Sequence, residues 1–251
     1  MKIVDIFKKK NKKILGYSGP ILEKKEETLY NPIYDNYEEL FKNISSCKKE
    51  KHINMLCIAD THGCLLFSAN GIKEKLEKEL NDGCDVVICL GDIRKDELRI
   101  INNIVKDRFP IIGIKGNHDD FNQFEEYPNI IDLNCKMIEI NDVKIAGLSG
   151  CIKYKDNDDI CYTQDESLKV IKDIPEADIL ITHAHMYRAN DKYKSEYDCH
   201  IGLVGALKYF YDNKCFLNIH GHDHLNSELD TEIRKNNGKS IGIYQIERII
   251  I

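Results

Sequence analysis

The sequence predicts an α/β domain from about residue 53 onward, on three observations. Short apolar runs alternate with segments whose apolar residues recur at helical spacing, the sign of strand–helix–strand units. A cluster of Asp, His, Asn or Gly follows several of those apolar runs at once, and strand carboxyl ends collect ligand groups in α/β sheets. The composition, 42% hydrophobic and 31% charged with 15 Gly and 5 Pro in 251 residues, excludes collagen-like, coiled-coil and low-complexity chains.

In order, residues 53–59 read as a strand and 72–80 as a helix with Ile72, Leu76 and Leu80 on one face, closed by Gly83. A strand follows at 86–90, a helix at 97–105 with Leu98, Ile101, Ile104 and Val105 on one face, and a strand at 111–114 after Phe109-Pro110. Further strands are expected at 137–140, 143–148, 179–182, 215–219 and 241–246, with helices near 165–172 and 201–211. Residues 119–134 and 151–163 read as long loops, which are frequently functional.

Residues 1–50 differ in character and are expected to form a lysine-rich, partly mobile extension before a main domain at 51–251. They carry Lys8, Lys9, Lys10, Lys12 and Lys13, with a short helix expected at 36–45. Acidic residues outnumber basic ones by 42 to 36, a net charge of −6, so no global positive field draws the chain to nucleic acid. No apolar run reaches the roughly 18 residues needed to span a bilayer, and no signal-peptide core follows the first charged residues, so a cytoplasmic location is expected. Ten cysteines without a C-x-x-C pair are then expected to be reduced thiols, with Cys57 and Cys89 inside strand-like runs behaving as small hydrophobes.

The chemistry concentrates in five clusters at strand ends: Asp60-Thr61-His62-Gly63, Gly91-Asp92, Gly116-Asn117-His118-Asp119, Thr182-His183 and Gly221-His222-Asp223-His224. With 15 Gly and 9 His in the chain, G-H-x-H arises by accident only about 0.02 times. Its occurrence in order with D-x-H, G-D and G-N-H-D makes coincidence a poor explanation. Carboxylate, amide oxygen and neutral imidazole together suit Mn²⁺, Fe or Zn²⁺, and a set without cysteine is unlike a structural zinc site.

This ordered set resembles the calcineurin-like metallophosphoesterase superfamily over roughly residues 53–246. The resemblance implies an α/β fold of the α+β type, a four-layer sandwich in which two mixed β-sheets pack face to face between helices, with a dimetal site at strand ends. It implies one divalent ion, Mn²⁺ first, between Asp60, His62, Asp92 and His224, and a second between Asp92, Asn117, His183 and His222, with Asp92 bridging. Two ions about 3.5–4 Å apart share a water, bring its pKa towards neutrality and clamp attacking and leaving oxygens, so attack by a bridging hydroxide is expected. His118 resembles the family histidine that contacts the phosphoryl group and protonates the leaving alkoxide.

One departure stands out. Many members carry an Asp or His three residues after the bridging Asp, where it helps orient the catalytic histidine, whereas this chain has Lys95; Asp96 or Asp119 are the acidic candidates to replace it. The arginine-containing pattern of the protein serine/threonine phosphatase branch is absent from Gly91 to Glu97. Arg94 reads equally as a phosphate contact and as a surface residue opening a helix. His185 and Cys64 are read as bystanders, His220 as packing, His52 as exposed, and His200 as part of a helix start capped by Asp198, with the rim of the phosphate site as its alternative. The expected activity is hydrolysis of a phosphodiester, phosphomonoester or nucleotide. The alternatives are a nuclease, disfavoured by the acidic balance, and a non-catalytic scaffold of the same fold, disfavoured because all seven ligand positions and His118 are present.

Overall fold

The computed structural model describes residues 46–67, 71–154, 160–187, 200–229 and 238–251. The lysine cluster at 8–13, the helix expected at 36–45, Asp198 and the middle of the 151–163 loop lie outside the described residues. In chain order the elements are β1 (Asn54–Ala59), α1 (Ile72–Asn81), β2 (Val86–Cys89), α2 (Lys95–Val105), β3 (Ile111–Gly113), β4 (Ile130–Asp132), β5 (Met137–Ile140), β6 (Val143–Leu148), β7 (Cys151–Ile152), β8 (Cys161–Tyr162), α3 (Gln164–Val170), β9 (Ile179–Thr182), α4 (Val204–Asp212), β10 (Leu217–His220), β11 (Ser227–Leu229), β12 (Lys239–Gly242) and β13 (Gln245–Ile250).

Two mixed sheets dominate, one of order β13-β1-β2-β3-β4 and one of order β11-β12-β10-β9-β6-β5. In the first, β1 to β4 are parallel and β13 is the antiparallel edge. In the second, β12, β10, β9 and β6 are parallel, with β11 and β5 as antiparallel edges. An apolar layer between the sheets includes Ile88, Ile112, Ile181 and Ile219, all fully buried, each stabilising the fold by about 1.5–3 kcal/mol. The outer face of the first sheet packs on α1 and α2 through Leu56, Ile58, Leu76 and Leu98, and that of the second on α3 and α4 through Leu148, Leu180, Leu207 and Phe210. The result is the expected four-layer sandwich.

The differences from the sequence reading have local causes. The 119–134 loop contains β4, a fourth parallel strand whose Ile130-Ile131 pair is too short to register as an apolar run. The 151–163 loop contains β7 and β8, paired with each other over two residues. The single strand expected at 241–246 is two strands in different sheets, because Gln245 adopts φ +65 and turns the chain from the second sheet to the first. Helix α2 begins at Lys95, two residues early, because Glu97 turns inward and accepts from Arg94 N at 3.1 Å, half of a capping box. Residues before β1 are tied to the second sheet: Lys51 Nζ donates to Asp178 Oδ2 at 2.6 Å, and Lys48 Nζ donates to Ala177 O at 2.8 Å. Among the described residues nine cysteines are thiols outside any disulfide, and no helix is long and apolar enough to cross a membrane.

Candidate metal centre

All five clusters leave the carboxyl ends of parallel strands, three from the first sheet after β1, β2 and β3, and two from the second after β9 and β10. Because the sheets face each other, these ends converge on one rim. Two cross-sheet hydrogen bonds fix the approach. His183 Nδ1 donates to Leu90 O at 2.8 Å, and His222 N donates to Asp60 Oδ2 at 2.8 Å.

Two groups form there whose ligand atoms lie within 4.8 Å of one another, Asp60 with His62 and His224, and Asp92 with His183 and His222. The Nε2 atoms of His62 and His224 are 3.0 Å apart, and Asp60 Oδ1 is 3.6 Å from His224 Nε2. Asp92 faces both groups, with Oδ2 3.7 Å from His62 Nε2 and Oδ1 3.5 Å from His183 Nε2. Asn117 Oδ1 lies 3.1 Å from His183 Nε2. His118 is exposed at the mouth, its Nε2 4.0 Å from Asp92 Oδ2, while its own N–H donates to Asp92 Oδ1 at 2.9 Å. The structure thus brings together all eight residues singled out from the sequence.

The donor chemistry fits cations. Asp60 Oδ1 is buried without a hydrogen-bond partner, and burial together with the charge of Asp92 pushes the Asp60 carboxyl well above the usual range. Excess negative charge of this kind is what a bound cation relieves. Since His183 Nδ1 must carry the proton given to Leu90 O, Nε2 of the neutral ring presents a lone pair, and Asn117 Oδ1 presents another 3.1 Å away. Two acceptors face to face repel unless a positive charge shares them. Partial burial lowers the His62 and His224 imidazoles, favouring the neutral form that ligation requires. Burial works to raise Asp92, but the charge that His183 carries when protonated and the N–H of His118 outweigh it and hold the carboxyl below its ordinary value.

The backbone is strained where these groups project. Asp60, His62, Asp92, His222 and His224 all have φ between 44° and 70°, a region that costs non-glycine residues about 1–3 kcal/mol each. Two glycines make room: a Cβ on Gly116 would lie 2.1 Å from Asp92 Oδ1, and one on Gly91 would lie 2.7 Å from His183 Nδ1.

Four supporting residues escaped the sequence reading or took a different role. Glu97 is fully buried and accepts from Thr61 Oγ1 at 2.7 Å, Gly63 N at 2.9 Å and Leu65 N at 2.9 Å, bracing the loop that carries Asp60 and His62. Its place at the start of an amphipathic helix gave no sign of burial; its three-residue spacing from Arg94 was the available signal. Asp119 accepts from the N–H groups of Asp92, Ile93 and Gly116, so it braces two ligand loops rather than orienting His118. Asp96 pairs with Arg99 on the surface, and Lys95 turns to Glu126 at 2.5 Å. Tyr154 OH accepts from Asn117 Nδ2 at 3.1 Å, a long-range contact with no sequence signature. The Tyr244 ring stacks on His224 at 5.5 Å between centroids.

The remaining histidines sort as follows. His200 has its ring 4.9 Å from that of His222, which places it on the rim, the alternative to its reading as part of a helix start. His185 and His220 are buried behind the site near Asp223, with His185 Nδ1 3.0 Å from Asp223 Oδ2, and His52 is exposed. Arg94 is exposed, and its side chain runs beside Gly63, next to His62.

The structure is a four-layer sandwich with two adjacent carboxylate-and-imidazole groups at one end of the two sheets, each of which could hold a metal ion, and Asp92 faces both. The family model of the calcineurin-like phosphoesterase superfamily domain matches residues 53–238, and the chain belongs to that family. No curated protein sequence matches. One solved structure superposes with a TM-score of 0.59 at 11% identity, covering 80% of this chain and 95% of its own. Phosphopantetheinyl hydrolase (PptH) from Mycobacterium tuberculosis gives 0.49 at 14% identity, covering 76% and 89%, and a dimetal phosphatase from Danio rerio gives 0.46 at 10% identity, covering 79% and 92%.

Proposed function

We propose that this protein is a metal-dependent phosphoesterase that hydrolyses a phosphomonoester, a phosphodiester or a nucleotide, with Mn²⁺ as its first-choice metal. In this reading Asp60, His62, Asp92 and His224 hold one divalent ion, and Asp92, Asn117, His183 and His222 hold the other. The observation that carries it is the double facing of Asp92, one oxygen towards each group. When bound, two such ions supply Lewis acidity that stabilises charge on the phosphoryl oxygens and brings a water's pKa towards neutrality.

The chain's own residues do the rest. Five of the seven proposed ligand residues sit at strained but braced positions, so little reorganisation is needed when substrate arrives. His118, exposed at the mouth beside Asp92, is placed to donate a proton to the leaving oxygen. Arg94, beside Gly63, offers a guanidinium fork to phosphate oxygens at the same edge.

The test is metal analysis of purified protein together with hydrolysis of a chromogenic phosphodiester under added Mn²⁺. Two ions per chain and turnover are expected. Protein that takes up no metal and hydrolyses nothing would overturn the reading in favour of a scaffold. A nuclease would instead show cleavage of nucleic acid that falls steeply with salt.

A further inference from the structure

We infer that Tyr154 is a positioning residue that lets Asn117 present its oxygen to the second ligand group, and so sets cation affinity there; the inference rests on Asn117 acting as a ligand. An asparagine amide has one end that can ligate and one that cannot, and its terminal torsion is broad and roughly two-fold, so the side chain itself does not choose between them. Asn117 is buried, so whichever end points away from the cation needs a partner.

The surroundings favour the wrong end. His183 Nδ1 is committed to Leu90 O, which leaves Nε2 as an acceptor towards Asn117. Taken alone, that nitrogen would draw the Asn117 NH₂ towards it. With the oxygen turned in, as here, the NH₂ turns out, and it donates to Tyr154 OH at 3.1 Å. Tyr154 thus supplies the acceptor needed by the ligating orientation. A phenylalanine keeps the ring and removes that acceptor, so the oxygen-in amide would carry an unpaired buried NH₂, whereas the flipped amide keeps one bond, from its NH₂ to His183, and leaves its oxygen unpaired. Cation binding would then have to reverse the flip.

The expected effect of Tyr154→Phe is a loss of about 10–100-fold in affinity for one of two Mn²⁺ ions, the scale on which groups supporting a ligand act. The measurement is calorimetric titration of Mn²⁺ into chelator-stripped full-length protein, wild type and Y154F, with thermal unfolding of the metal-free proteins alongside. One weakened ion and one unchanged ion are expected, with both metal-free proteins melting well above the titration temperature and turnover on a chromogenic ester restored by excess Mn²⁺. In an Asn117→Asp background the same tyrosine change should cost much less, because a carboxylate has no NH₂ to satisfy. Unchanged binding of both ions by Y154F, equal weakening of both, or an undiminished loss in the N117D background would overturn the role of Tyr154 alone. A wild-type protein that binds fewer than two ions would overturn both this inference and the two-ion reading beneath it.

Discussion

Replacing Glu97 by Gln keeps the shape of a buried side chain but alters what it can accept. Glu97 Oε2 accepts from Thr61 Oγ1, Gly63 N and Arg94 N, and Oε1 accepts from Leu65 N. A glutamine can keep its oxygen at the three-donor position, but its NH₂ then meets the Leu65 N–H, donor against donor. A hydrogen bond to a charged group contributes about 1.5–3 kcal/mol, and an unsatisfied buried group costs about 1–3 kcal/mol, so E97Q should destabilise the metal-free protein by about 2–4 kcal/mol. Glu97→Ala should cost more, since all four donors lose their acceptor. Urea unfolding of chelator-treated protein reads this as a lower midpoint at unchanged slope. Because the braced loop carries Asp60 and His62, cation affinity should fall as well. A midpoint for E97Q that corresponds to less than about 0.5 kcal/mol would show that these bonds do not hold the loop and would refute the reasoning.

Other outcomes follow from the same geometry. Asp92→Asn should lose bound metal, whereas His118→Gln should keep it and lose about 10²–10⁴ in turnover, most on esters with poor leaving groups; metal analysis and steady-state kinetics separate them. Gly116→Ala should cost most of the metal content, because the added Cβ would overlap Asp92 Oδ1 at 2.1 Å. Burial tends to raise the Asp178 carboxyl, but Lys51 and the N–H of Lys144 hold it below its ordinary value. A depressed carboxylate contributes stability that is present above the ordinary carboxylate range and lost as pH falls through the lowered value. The stability gap between wild type and Asp178→Asn should therefore be full near neutrality and close below about pH 4, as measured by unfolding across pH.

Much of this architecture was legible in the sequence because its signals are local. The strands at 137–140, 143–148 and 179–182 appear where the apolar runs end at charged or polar residues. The ligand clusters were visible because each follows its strand directly, and chain order alone separates them from chance. What escaped was non-local or too short. Strand β4 rests on pairing with β3, and the break between β12 and β13 rests on one left-handed residue, Gln245. Besides one local partner each for Glu97 and Asp119, Glu97, Asp119 and Tyr154 act through partners 26 to 37 residues away, and periodicity carries no trace of such partnerships.

The two ligand groups each mix donors from both sheets: His224 joins Asp60 and His62, and His183 and His222 join Asp92. Cations seated there would act as rivets through the sandwich, and their grip would depend on how the layers are spaced. Thinning the apolar filling far from the rim, for instance by shortening Ile88 or Ile181, would then be felt as weaker ion retention although no donor had been touched. Conversely, ion uptake would raise the unfolding temperature of the whole sandwich, with the gain set by the logarithm of free ion over its dissociation constant.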